Sequence, residues 1–186
     1  MKDLLGDRIK QFYEYATRFF LPRRSYAIIR VDGKSFSKYT SDLEYPFDDG
    51  LIEDMNETAK YLCKKITGAR VAYVQSDEIS ILVTDLHSGN FFQAWFGNNL
   101  QKMCSISASI ATYKFNQLRY KRFLESKIDY KITHLFISNF LKIKEANFDS
   151  RVFSIPSNTE VRNYFIWRQQ DATRNSISQV ARSFYS

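Results

Sequence analysis

Cysteine is scarce in this chain: Cys63 and Cys104 are its only thiols, and both fall in apolar, helix-patterned stretches. Two cysteines cannot build a disulfide framework, so a reducing cytoplasm is the expected setting. Histidine is equally rare, and His87 and His134 stand far from each other and from any Cys pair, which leaves a structural zinc site without ligands. There are 6 Gly and 3 Pro in 186 residues, where average usage of about 7% and 5% would give about 22. That poverty excludes collagen-like, linker-rich and disordered chains. The glycines are isolated, so neither a dinucleotide fingerprint nor a P-loop can be written, and no Gly-x-Ser-x-Gly elbow of a hydrolase occurs. No run of 18 apolar residues is present, and the first residues, MKDLLGDRIKQ, carry acids where a signal peptide needs a hydrophobic core. No membrane span is expected.

What is present is the balance of a folded domain: 44% hydrophobic and 25% charged residues, with 16 Phe, 12 Tyr and 2 Trp, and a formal charge of +7. One domain is expected. Leu5, Ile9, Phe12, Ala16 and Phe19 recur at helical spacing over 4–19. Tyr26 to Val31 is a mostly apolar run closed by Asp32-Gly33 and reads as a buried strand. Acids at 48 and 49 precede Ile52, Met55, Ala59 and Leu62, which predicts a helix over 49–66. Residues 71–75 and 79–84 read as a hairpin around Ser76-Asp77-Glu78. A long helix is expected over 91–116, its small residues from Ser105 to Ala111 allowing close approach to a sheet. A fourth strand over 151–155 precedes Pro156, and a last helix runs over 158–183.

The order is therefore helix, β-α-β-β-α-β, helix. The middle string is the ferredoxin-like arrangement, an α+β fold with a four-stranded antiparallel sheet and two helices on one face. Right-handed crossovers make the first two strands parallel with the third between them. Asp32 and the Ser76-Asp77-Glu78 turn then meet at one end of the sheet. Crowded carboxylates repel unless a cation lies between them, and Mg²⁺ beside a phosphate substrate is the natural one. Two such ions can activate a hydroxyl and stabilise a pentavalent phosphate. Gly33 would let a triphosphate approach the backbone, and Lys34 and Lys102 could neutralise it. In isolation an Asp-Glu pair in a turn is ordinary solvated turn chemistry; convergence makes the metal reading its equal. A glycosidase-type acid/base pair has no further feature in its favour.

Between Lys114 and Lys144 eight bases (Lys114, Arg119, Lys121, Arg122, Lys127, Lys131, Lys142, Lys144) face two acids, with Phe115, Tyr120, Phe123 and Tyr130 interleaved. This segment, an expected basic insertion over about 114–147, suits a polyanion. A solvated helical face with core aromatics is the other reading.

With these residues in place, the chain resembles the tRNA-His guanylyltransferase family and its bacterial, archaeal and phage relatives, the 3′–5′ polymerases. The matching motifs are Leu-Gly-Asp-Arg (5–8), Arg30-Val-Asp-Gly-Lys-Ser-Phe36, Pro46-Phe-Asp48, Ala72-Tyr-Val-Gln-Ser-Asp-Glu-Ile-Ser80, Lys102, Phe148-Asp-Ser-Arg-Val-Phe153 and Trp167-Arg-Gln-Gln-Asp-Ala-Thr-Arg-Asn175. The resemblance implies a polymerase palm. It implies two Mg²⁺ ions on Asp32, Gly33 and Asp77, with Glu78 the neighbouring acid of the catalytic set. It also implies a nucleotide site along Asp32, Gly33, Lys34, Ser35, Phe36 and Ser37, with Ser76, Asp77 and Lys102. Implied substrates are ATP, GTP or another NTP, and the 5′ end of tRNA; the implied assembly is a homotetramer.

Two departures bear on the substrate. Eukaryotic members carry His-Ile-Asn-Asn where this chain has Thr173-Arg174-Asn175-Ser176, and a His where it has Ser37. Both differences imply the branch that repairs truncated tRNA 5′ ends on a template. Family members also continue with helical sequence past Ala181 to Ser186. From a different class, a non-catalytic RNA-binding module on the same topology stacks bases on sheet aromatics, and Ile79 to Thr84 lacks that signature.

Overall fold

The computed structural model describes residues 3–86, 93–126 and 144–185. Four strands form one sheet: β1 (Tyr26–Gly33), β2 (Ala69–Gln75), β3 (Glu78–Thr84) and β4 (Phe148–Ile155), in the order β2-β3-β1-β4. Every neighbouring pair is antiparallel, so β1 and β2 run parallel with β3 between them, as the crossover rule predicts.

Among the described residues the α-helices are α1 (Leu4–Ile9), the short α2 (Phe36–Tyr39), α3 (Asp49–Lys65), α4 (Leu100–Ser126) and α5 (Asn158–Tyr185). None is long and apolar enough to cross a membrane. Asp48, in the Pro46-Phe-Asp48 motif, caps α3 by accepting from Leu51 N–H at 2.6 Å. Helices α3 and α4 cover one sheet face, where Ile29, Val31, Met55, Leu62, Ile79, Ile81, Met103 and Phe115 are buried together. The small residues of α4 do permit close approach: Ser107 Oγ donates to Ser150 Oγ of β4 at 2.7 Å. Helix α5 crosses the opposite face, closing Ile28, Ile155, Val161 and Tyr164 into a second core. That face is the one an RNA-binding module would offer to bases.

Two expectations need correction here. Helix α4 begins at Leu100, not near 91. Residues 19–22 bind the stretch before it, with Leu21 N–H on Asn98 O, Leu100 N–H on Phe19 O, and Asn98 Nδ2 on Pro22 O. Phe96, Gly97 and Asn98 are held at positive φ as a result, and Asn99 caps the helix by accepting from Lys102 N–H. Secondly, the predicted amphipathic helix over 4–19 is broken into α1, a π turn over Lys10–Glu14 and a 3-10 turn over Tyr15–Thr17. Among the described residues its apolar face finds no cover: Leu5, Ile9, Phe12 and Phe19 are all exposed. Cys63 and Cys104 are free thiols, and burial pushes both above the usual range.

Candidate active site

The sheet brings Asp32 and Asp77 to the same end. Asp32 is the penultimate residue of β1 and lies opposite Glu78 of β3 on one side and Asp149 of β4 on the other. Asp77 occupies the two-residue turn between β2 and β3, and its carbonyl accepts from Gly33 N–H at 3.2 Å. Burial pushes the Asp77 carboxyl above the usual range, and the neighbouring charges of Asp32 and Glu78 push it further. The Ser76 hydroxyl, hydrogen-bonded to Asp77, pulls the other way. Ser76 itself sits at φ 50, and Ser35, three residues after Asp32, at φ 53. These are left-handed conformations that non-glycine residues seldom adopt, and each flanks one of the two carboxylates. Lys34, Ser35 and Ser37 are exposed beside them.

Glu78 has a different occupation from the one expected. Directly opposed residues project to the same face, so Glu78 points with Asp32 towards α5. There Arg168 Nε and Nη2 donate to Glu78 Oε1 and Oε2, each at 2.8 Å. Ser80 Oγ donates to Oε1 at 3.1 Å and shares a 2.7 Å hydrogen bond with the Tyr164 hydroxyl. Arg30 Nε stands 3.7 Å from Oε2. Glu78 is 7% exposed and Arg168 6%. A carboxylate with both oxygens taken by a buried guanidinium is a structural anchor, so Glu78, the neighbouring acid of the expected catalytic set, stands beside Asp32 and Asp77 with its own oxygens engaged.

Phe36 and Lys102, both expected along the nucleotide site, lie as follows. Phe36 is buried in a ring cluster with Tyr39, Phe115 and Phe148, at centroid separations of 4.9, 5.7 and 5.7 Å; it belongs to the core. Lys102 stands in the first turn of α4, over the Phe96 ring. Thr112, whose Oγ1 accepts from Phe148 N–H, marks where α4 passes the Asp32 end of the sheet. Ten residues of helix, about 15 Å, separate Lys102 from that level.

Gly33 is explained by packing. A Cβ there would come within 2.8 Å of Phe36 Cγ, and three aromatic neighbours keep that ring from yielding. Gly33→Ala is expected to cost about 1–3 kcal/mol, read as a lowered midpoint in urea unfolding with an unchanged slope.

The basic segment divides. Arg119 Nη1 and Arg122 Nε and Nη2 donate to the buried Asp54 at 3.1, 3.1 and 2.8 Å, clamping α4 to α3. Lys144 pairs with Asp42. Lys114, over the Tyr61 ring, and Lys121, near Glu125, remain on the surface. Lys127, Lys131 and Lys142 lie outside the described residues.

Sequence reasoning missed Arg168, Asp149 and Arg151 as neighbours of the site. The last two were within reach: starting β4 at 148 would have set Asp149 opposite Asp32 and Arg151 opposite Arg30. Among the described residues no three His, Cys, Asp or Glu side chains form a ready-made metal cage.

Comparison with known proteins meets this geometry. A family model described as tRNAHis guanylyltransferase matches residues 6–156. The tRNA(His) guanylyltransferase of Debaryomyces hansenii is 30% identical over 174 residues, which cover 90% of this chain and 59% of that protein. An uncharacterised protein of Acanthamoeba polyphaga mimivirus is 29% identical over 192 residues, 97% of this chain and 63% of its own. The chain thus spans less than two thirds of the length of these curated relatives. Two solved structures of a bacterial tRNA(His) guanylyltransferase-like protein, one in complex with ATP and one with GTP, share 45% and 46% identity with it. Their TM-scores are 0.81 and 0.80, each covering 96% of this chain and respectively 70% and 76% of theirs. The strand order, the two carboxylates at its end and a match running from the first helix to the end of β4 agree, and the chain belongs to the tRNAHis guanylyltransferase family.

Proposed function

We propose that the chain is a Mg²⁺-dependent nucleotidyltransferase that adds nucleotides in the 3′–5′ direction to the 5′ end of tRNA, repairing truncated ends against a template. One observation carries this reading: Asp77 is partly buried beside Asp32, and among the described residues no base forms an ion pair with it. Two hard-oxygen carboxylates in that relation fit Mg²⁺, which uses one or two carboxylates and takes its remaining ligands from phosphates and water. Asp32, Asp77 and the Gly33 carbonyl would hold the two ions. When bound, they supply charge neutralisation at the phosphates and activation of the attacking hydroxyl.

The chain's own residues position the reactants. Ser35, Ser37 and Lys34 line the turn after β1, where a triphosphate would lie, and Ser76 steadies Asp77. RNA carrying a 5′-monophosphate is first adenylylated: its phosphate oxygen attacks the α-phosphorus of ATP and pyrophosphate leaves. The 3′-hydroxyl of the incoming NTP then attacks the activated phosphate and AMP leaves; a 5′-triphosphate makes the first stage unnecessary. In-line positioning is the protein's main contribution. Names of relatives support ATP, GTP and tRNA as substrates. Lys114 and Lys121 supply surface charge for a polyanion, and the exposed apolar face of residues 4–19 supports self-association; the homotetramer and the cytoplasmic setting follow from the family resemblance.

Incubation with a 5′-truncated, 5′-triphosphorylated tRNA, the four NTPs and Mg²⁺ tests the reading. Products lengthened at the 5′ end and matched to the opposing 3′ strand are expected. RNA binding without extension, indifferent to Mg²⁺ and NTPs, would overturn it in favour of a binding module.

A further inference from the structure

The antiparallel register places Asp149 and Arg151, two residues apart on β4, on the same face as Asp32. Arg151 Nη2 is 3.9 Å from Asp32 Oδ2, and Arg151 Nε is 3.9 Å from Asp149 Oδ1. Both separations are ion pairs without a hydrogen bond. The Arg151 side chain is 58% exposed, against 7% for Arg168. These two arginines over one sheet face, Arg151 on β4 and Arg168 on α5, therefore differ in kind. Arg168 is locked into Glu78 by two short hydrogen bonds, whereas Arg151 hovers over Asp32, loosely held and free to move.

We infer that Arg151 is the resident counter-cation of Asp32 in the metal-free chain and transfers to triphosphate oxygens when a metal-bound nucleotide arrives. This rests on the reading of Asp32 and Asp77 as the metal-holding pair. A guanidinium and a divalent ion compete for the same Asp32 oxygen, so Arg151 weakens binding of the metal alone. Its fork of N–H donors matches two oxygens of a phosphate. Once displaced, it needs a move of only a few ångströms to meet a triphosphate lying beside that carboxylate. A loose, exposed pair contributes little to the fold, so replacing Arg151 leaves stability nearly unchanged. The result is coupling: the site discriminates against bare metal and favours metal with nucleotide.

The test is Mn²⁺ titration of the full chain, followed by electron paramagnetic resonance of the free ion, then ATP binding at saturating Mn²⁺. Arg151→Ala is expected to bind Mn²⁺ about two- to fivefold more tightly and ATP about tenfold more weakly. Arg151→Lys, which keeps the charge and loses the fork, should restore the wild-type Mn²⁺ affinity but not the ATP affinity. Unchanged or weaker Mn²⁺ binding by Arg151→Ala, or unchanged ATP affinity, overturns the inference while leaving the metal reading intact. An unaltered chain that binds neither Mn²⁺ nor ATP overturns both.

Discussion

Asp77→Asn is expected to lower the rate of nucleotide addition by at least about 10³-fold, with Asp32→Asn comparable, in a single-turnover assay at saturating NTP. A metal ion's stabilisation of charge on a transferring phosphoryl group amounts to several kcal/mol, and each 1.36 kcal/mol is tenfold in rate. Removing a carboxylate that holds the ion forfeits much of that. Retention of more than a tenth of the activity in either variant would dismiss these residues as the metal pair.

The raised Asp77 carboxyl adds a pH dependence and a stability effect with definite signs. A metal requires the ionised form, so in the nucleotide-loaded chain metal affinity should rise with pH as Asp77 loses its proton. In the free chain, burial makes the ionised form costlier folded than unfolded. That cost is absent below the ordinary Asp value of 3.8 and fully present above the raised folded value. Asn at this position removes the cost at neutral pH. Asp77→Asn should therefore melt about 1–3 °C higher than the unaltered chain while being inactive. A lower melting temperature would show that Asp77 serves the fold.

Arg168→Met is expected to be the most damaging single change to stability, about 3–5 kcal/mol. It leaves Glu78 buried and charged, with Arg30 at 3.7 Å as its remaining cation. Arg168→Met combined with Glu78→Leu should recover most of the loss, because a buried pair exchanged for apolar groups of similar volume is close to neutral. Urea unfolding of both variants distinguishes a buried charge pair from simple packing. Failure of the double variant to recover stability would place the energy in packing around Trp167, over whose ring Arg168 stacks at 4.5 Å.

How much of this was legible in the sequence depends on whether the deciding contact was local. Strand β1, helix α3 and the β2–β3 hairpin announce themselves through periodicity and a cap, and their order alone fixes the convergence of Asp32 and Asp77. The first half of β4 did not, because Asp149 and Arg151 are polar residues on the face of Asp32 and break the apolar run that marks a strand. The start of α4 was misread because residues 19–22, distant in sequence, hold residues 98–100 out of the helix. The partner of Glu78 was out of view for the same reason: Glu78 adjoins Asp77 in the chain, yet Arg168 is 90 residues away. The apolar stripe of residues 4–19 was seen correctly as a stripe, but periodicity cannot say what a stripe packs against.

The Glu78–Arg168 clamp has a consequence for synthesis. Asp32 and Asp77 are both translated within the first half of the chain, but the wall of the site facing them is made from β4 and α5. A nascent chain therefore carries these two carboxylates for some ninety further codons with Glu78 still without Arg168 beside them. Only after Arg168 has left the ribosome can the three acids be parted, with Glu78 drawn into the interior and Asp32 and Asp77 left at the sheet end. The contact that separates Glu78 from Asp32 and Asp77 is therefore one that only a chain made at least as far as α5 can form.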